Sequence, residues 1–181
     1  MRHYHVNTQT GYVEAESIGG VPRYILPNCV LQSSSESLPN KPFGDHFYFH
    51  WERNQWEDIR TLEQRKLDKW NEIKAERAAR EFGTYTINSR TFDIDAASQD
   101  RIRSTYQLAV SAKAESEPFS ITWILTDNSS ITISNADTFI NIAKEILRYI
   151  NSLYETSRLI RTQLFNCTTE AQVDAISWPS S

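Results

Sequence analysis

The most regular pattern of apolar and polar positions lies in the last third of the chain. Phe139, Ala143, Ile146, Ile150, Leu153, Ser157, Ile160 and Leu164 follow one another at steps of four and three, the spacing that puts side chains on one face of a helix. Ile142, Leu147, Tyr149 and Tyr154 widen that face, whereas a solvated two-stranded coil would place charges there. A long helix is predicted from about Asn135, with Asp137 in its first turn. Its broad face suits packing against hairpins, other helices or partner chains. Thr169 and Gln172 have the spacing of a capping box for a short closing helix that ends near Ser177.

A period of two replaces this pattern from Phe119 to Leu125, where apolar and polar residues alternate as on a half-buried strand. The chain is expected to turn at Asp127-Asn128-Ser129 and return as Ile131-Thr132-Ile133. A second hairpin is predicted from Thr84–Ile87 and Thr91–Ile94 around Asn88-Ser89-Arg90. Between the hairpins, Ser98 can cap a helix to about Ala114, with Ile102, Tyr106 and Val110 on one side.

From Glu57 to Glu81 seven acidic and seven basic residues alternate without proline or glycine. This predicts a solvated connecting helix with a narrow stripe of Ile59, Leu62, Trp70, Ile73 and Ala78, ended by Gly83. Balanced signs speak against a nucleic-acid face. Residues 1–56 are different. Short aromatic or branched runs (Tyr4–Val6, Tyr12-Val13, Tyr24–Leu26, Phe47–Trp51) are broken by Gly19-Gly20, Pro22, Pro27 and the stretch Ser33–Pro42, the most flexible candidate. The segment reads as a β-rich module with a thin core that leans on a neighbour.

Composition narrows the function. The 181 residues carry a formal net charge of -4, which disfavours nucleic acid. No window approaches the roughly 18 apolar residues of a membrane span. Cys29 and Cys167 share no short-range motif and are expected as reduced thiols. His3 and His5 fall on one side of a predicted strand, a spacing that can chelate zinc. The alternative is two surface or interface histidines, and no metal or other cofactor is expected. His46 and His50 would lie about 13 Å apart on an extended run, too far to share an ion.

Asp93, Asp95, Asp100, Asp127 and Asp137 all sit near turns or helix starts, where a capping or turn role suffices. Neither a glycine-rich phosphate loop nor a Gly-x-Ser-x-Gly elbow is present. The expectation is therefore a protein without catalytic activity. The aromatic residues Tyr48, Trp51 and Trp56 are the candidate binding residues, for a partner chain or, by stacking, for a glycan. The competing role for the two tryptophans is to fill the thin core.

The order of residues from Trp70 to Ile176 adds a family resemblance. It comprises Trp70-Asn71-Glu72-Ile73-Lys74, Arg77-Ala78-Ala79-Arg80-Glu81, Phe92-Asp93-Ile94-Asp95, Ser98-Gln99-Asp100-Arg101-Ile102, Trp123, Asp127-Asn128 and Thr168–Ile176. It resembles a domain of unknown biochemical activity found in bacteriophage tail proteins and tail-fibre assembly proteins. Tyr4-His5, Thr10-Gly11-Tyr12, Tyr24-Ile25-Leu26-Pro27, Trp51, Trp56-Glu57 and Arg60 are similar to the N-terminal half of the assembly proteins.

The fold expected is α+β: a β-rich module over 1–56, a connecting helix over 57–82 and a helix–hairpin–helix–hairpin–helix domain over 83–178. The resemblance implies a tail-fibre-associated assembly factor (chaperone) or small structural subunit that binds a trimeric tail fibre, without nucleic acid or membrane. Self-association through the last helix is left open. The location implied is the host cytoplasm during assembly, or the virion tail. The alternative is a carbohydrate-binding receptor-recognition module of the tail, whose partner is a host glycan.

Overall fold

The computed structural model describes residues 1–19, 26, 28–34, 37–42, 45 and 47–179. The protein is a mixed α and β chain, with a small β-rich N-terminal region and helices later. It divides into two compact units, Met1–Thr61 and Leu62–Ser181.

In the first unit β1 (Arg2–Asn7) is the middle strand of an antiparallel sheet, flanked by β2 (Val13–Ile18) and β3 (Cys29–Ser34). A central strand covered on both faces buries successive residues, and His3, Tyr4, His5 and Val6 are all buried. β3 was not foreseen: Ser33, assigned above to a flexible stretch, is paired with His3. Serines disguise the strand, yet Val30 and Gln32 alternate with Leu31 and Ser33 across its two faces. The expected Tyr24–Leu26 run, apart from Leu26, lies outside the described residues, as do Gly20, Pro22, Pro27 and His46.

A separate hairpin joins β4 (Phe47–His50) to β5 (Gln55–Asp58), and an isolated bridge between Tyr12 and His50 docks it against the sheet. Glu57 and Asp58, expected to open the charged helix, are therefore strand residues.

The second unit begins with α1 (Leu62–Glu81). It continues through β6 (Thr84–Ile87), β7 (Arg90–Asp93), α2 (Ala96–Glu115), β8 (Ile121–Ile124), β9 (Ser130–Ile133), α3 (Ala136–Phe165) and the single-turn α4 (Glu170–Asp174). The β6–β7 turn holds two residues, Asn88 and Ser89, both at positive φ, as a tight right-twisting hairpin requires. Gly83 follows α1 at a position where an added Cβ would lie 2.7 Å from the Ala79 carbonyl oxygen, too close for any side chain.

Asp95 caps α2 by accepting from the Ser98 amide at 2.8 Å. The cap thus lies three residues before the serine expected to play that role, and its carboxylate also suits the helix dipole. Val110 points outward, at 42% exposure; Ala109 and Ala112 face the core instead. Ala109, seven residues after Ile102, falls within about 20° of it around the helix, whereas Val110, eight residues on, is turned about 80° away.

The spaced residues of α3 behave as one face. Phe139, Ala143, Ile146, Ile150, Leu153, Ser157, Ile160 and Leu164 are all buried. The N-terminal half of this face joins a core with Ile87, Phe92, Ile102, Phe119, Trp123 and Ile133. Near its other end, Leu164 packs with Cys167 and Val173 against Leu62 and Trp70 of α1. Thr169 and Gln172 form the reciprocal capping box of α4.

The helix expected as a free connector packs within this unit, with Lys66 and Glu81 among its buried residues. Lys66 Nζ donates to Glu63 at 2.9 Å and to the Phe165 carbonyl, at the end of α3, at 3.3 Å. Glu81 accepts from the Tyr154 hydroxyl at 2.7 Å. Ile59, placed in the expected stripe, precedes the helix and is exposed. Among the described residues no helix is long and apolar enough to cross a membrane.

Candidate functional site

The hairpin β4–β5 distributes its aromatics over two faces because successive strand side chains alternate. Phe49 is paired directly with Trp56, and their rings meet edge to face at 5.5 Å. Trp56 Nε1 donates to the Pro39 carbonyl at 2.9 Å, and Lys41 Nζ stands 6.0 Å from the ring centre. On the opposite face Tyr48 approaches Tyr12, ring centres 6.0 Å apart. Trp51 lies beyond β4 in the turn, tilted against the fully buried Tyr4 at 5.3 Å. The three candidate binding rings therefore have three different aromatic neighbours. Tyr48 is exposed, and both tryptophans are half-buried.

What holds the hairpin to the sheet is a close approach of backbone and ring. The Trp51 amide donates to the Gly11 carbonyl at 2.9 Å. Gly11 has φ +74°, and a Cβ there would fall 2.6 Å from His50 Nε2. The His50 ring is buried, meets Tyr12 edge-on at 5.4 Å, and accepts from the Arg53 amide through Nδ1 at 3.4 Å. The Thr10-Gly11-Tyr12 segment is thus a docking turn.

Glu57 is the electrostatic centre of this region. Its oxygens accept from Arg53 at 2.8 and 3.0 Å, from Gln55 at 3.1 Å and from the Tyr12 hydroxyl at 3.0 Å. Donation by Gln55, then Arg53, holds its carboxyl down at a pKa of about 2. Burial pushes the Tyr12 phenol up, and its bond to Glu57 pushes in the same direction. This arrangement stabilises a carboxylate already committed to four bonds, which leaves it poorly suited to carry a proton in a reaction.

His3 and His5 do share one side of β1, but each already has a protein partner. His3 Nδ1 is 2.8 Å from the Ser33 hydroxyl. His5 Nδ1 accepts from the Leu26 amide at 3.2 Å. No group of three His, Cys, Asp or Glu residues able to hold a metal ion occurs among the described residues. The carboxylates considered above are dispersed in local roles. Asp95 caps α2, Asp100 pairs with Arg103, and Asp137 pairs with Lys113. Asp127 accepts from the Ser129 hydroxyl and amide, which lower its pKa.

Sequence reasoning missed one feature. A pocket of about 390 Å³ opens between the β1–β2 turn and the start of the β4–β5 turn. Trp51 lines it together with Gln9, Gln32 and Glu52, residues scattered over the sequence of the first unit. Gln9 in the β1–β2 turn was its only local signal, and a single polar residue in a turn has many ordinary explanations.

Residues 64–177 match the family model described as a domain of unknown function (DUF4376). The match spans more than half of the chain. The chain belongs to that family. The DUF4376 match begins in the first turn of α1 and ends after α4, so it coincides with the second unit. The aromatic hairpin and the pocket of the first unit lie outside it. No curated protein and no solved structure matches the chain.

Proposed function

We propose that the protein is a bacteriophage tail-fibre-associated protein: an assembly factor or small structural subunit that binds the trimeric fibre and catalyses no reaction. The residue order from Trp70 to Ile176 supports this reading through its resemblance to tail-protein domains. In this reading the DUF4376 unit is a helix–hairpin–helix–hairpin–helix domain, and the first unit supplies the contact with the fibre.

The observation that carries the reading is the small apolar core of the first unit. Its buried apolar side chains among the described residues are Tyr4, Val6 and Phe49. Tyr48, Val30 and Ile18 remain exposed, and Trp51 and Trp56 half-buried. A module with so little apolar surface buried among its described residues gains stability when another chain covers its open rings. Assembly would take place in the host cytoplasm, and a structural subunit would remain in the virion tail.

The alternative, a flat glycan-stacking platform of Tyr48, Trp51 and Trp56, is less well supported because each ring packs against a different neighbour. The test is co-expression with the cognate fibre protein. The soluble fibre yield is expected to rise with the intact chain and to fall back with Tyr48→Ala, a change at an exposed ring to be checked for unchanged melting. An unchanged yield with the intact chain would reject the assembly role.

A further inference from the structure

The pocket beside Trp51 has a chemistry of its own. Its volume of about 390 Å³ falls within the range of small-molecule sites. One wall is the Tyr4/Val6 face of the sheet, which brings Val30 and Gln32 of β3 to the same side. The other wall is the start of the β4–β5 turn, with Trp51 and Glu52. Some lining groups are already engaged: the Asn7 carboxamide binds the Gln9 and Thr10 amides and Glu14, and the Thr8 hydroxyl binds the Asn28 carbonyl. The side chains of Gln9, Gln32 and Glu52 have no hydrogen-bond partner among the described residues, so donors and acceptors are left around a half-open indole.

The lining selects among ligand classes. It contains no lysine or arginine and includes one carboxylate, and its one imidazole, His50, is buried against Tyr12 and accepts from the Arg53 amide, so phosphate or a carboxylate would meet one like charge and no lysine or arginine to offset it. A wholly apolar ligand would strip water from Gln32 without replacing its bonds. A neutral ring with polar edges and a C–H face satisfies both parts of the site. The positive C–H edges meet the negative face of the indole, while the hydroxyls meet amide donors and acceptors and the Glu52 carboxylate.

We infer that this pocket binds a single neutral pyranose unit, with its C–H face on Trp51 and its hydroxyls on Gln9, Gln32 and Glu52. The inference goes beyond fibre binding, and it places sugar chemistry in a pocket rather than on the three-ring platform.

The test is a titration of the full chain followed by the indole N–H signals in NMR, with Trp51 assigned through Trp51→Phe. The probes are the methyl pyranosides of glucose, galactose, mannose and N-acetylglucosamine, with inorganic phosphate as the anionic control. At least one pyranoside is expected to shift the Trp51 indole saturably, and phosphate to leave it unmoved. Gln9→Ala and Gln32→Ala, checked for unchanged melting, are expected to weaken binding about fivefold to tenfold, the worth of one hydrogen bond each. Three outcomes would overturn the inference: no pyranoside moves Trp51, phosphate competes, or affinity is unchanged in both glutamine variants. Each is read without the fibre, so failure here and failure of the assembly role are separate results.

Discussion

Replacing Gly11 by alanine perturbs the contact that docks the hairpin on the sheet. Two costs follow from the geometry. At φ +74° an L side chain occupies left-handed backbone, which costs about 1–2 kcal/mol. The new methyl would also lie 2.6 Å from His50 Nε2 and 2.7 Å from Cε1. The ring has little room to yield, because it is buried against Tyr12 and bonded to the Arg53 amide. Overpacking of this kind costs about 1–3 kcal/mol, so Gly11→Ala is expected to destabilise the first unit by about 2–5 kcal/mol. Removing the ring with His50→Ala should relieve only the second cost. In a double-mutant cycle the two changes should therefore couple by about 1–3 kcal/mol. The assay is urea unfolding followed through the indole signals of Trp51 and Trp56, which report the first unit alone. A single variant within about 0.5 kcal/mol of wild type, or strictly additive changes, would refute the reasoning.

Three further outcomes follow from the same packing. Ile150→Asp places a charge on the buried face of α3 and is expected to unfold the second unit at every protein concentration; a folded variant with a changed oligomeric state would show that the face joins separate chains. Glu57 has its carboxyl held at about 2, against 4.5 without its partners. Its contribution is therefore complete above pH ~4.5 and lost as pH falls toward 2, and Glu57→Gln should remove that part of the acid sensitivity in pH-dependent melting. Trp56→Ala removes the ring paired with Phe49 and the bond to the Pro39 carbonyl; thermal melting should show a loss of about 3 kcal/mol, the lower end for a large aromatic because Trp56 is half-exposed.

The apolar spacing of α3 was legible because a single stripe serves its whole length, and every residue in that series is buried. The alternation from Phe119 to Leu125 was legible for the same reason: Phe119, Trp123 and Leu125 are buried and Ile121 half-buried. Lys66 and Glu81 were not, since a hydrophobic pattern assigns charges to solvent. Their burial depends on the Phe165 carbonyl and Tyr154 hydroxyl, contributed by a helix far along the chain. β3 was hidden by its serines, and Ala109 by its small size beside the more conspicuous Val110.

For the candidate site, the residue types were legible and the neighbours were not. Trp51 and Trp56 stood out as aromatics, yet nothing in their spacing assigns one to Tyr4 and the other to Phe49. Gln9, Gln32 and Glu52 become a site only through the pairing of β1 with β3 and the docking of the hairpin.

The proposed function requires this chain to bind a tail fibre. The most direct measurement is size-exclusion chromatography with light scattering on the purified chain mixed with its cognate trimeric fibre protein. One co-eluting complex is expected, whose mass exceeds that of the fibre trimer by whole copies of this chain and whose amount drops when the exposed Tyr48 is replaced by alanine without a change in melting. Two separate peaks at the masses of the free components, at concentrations up to the micromolar range, would contradict it.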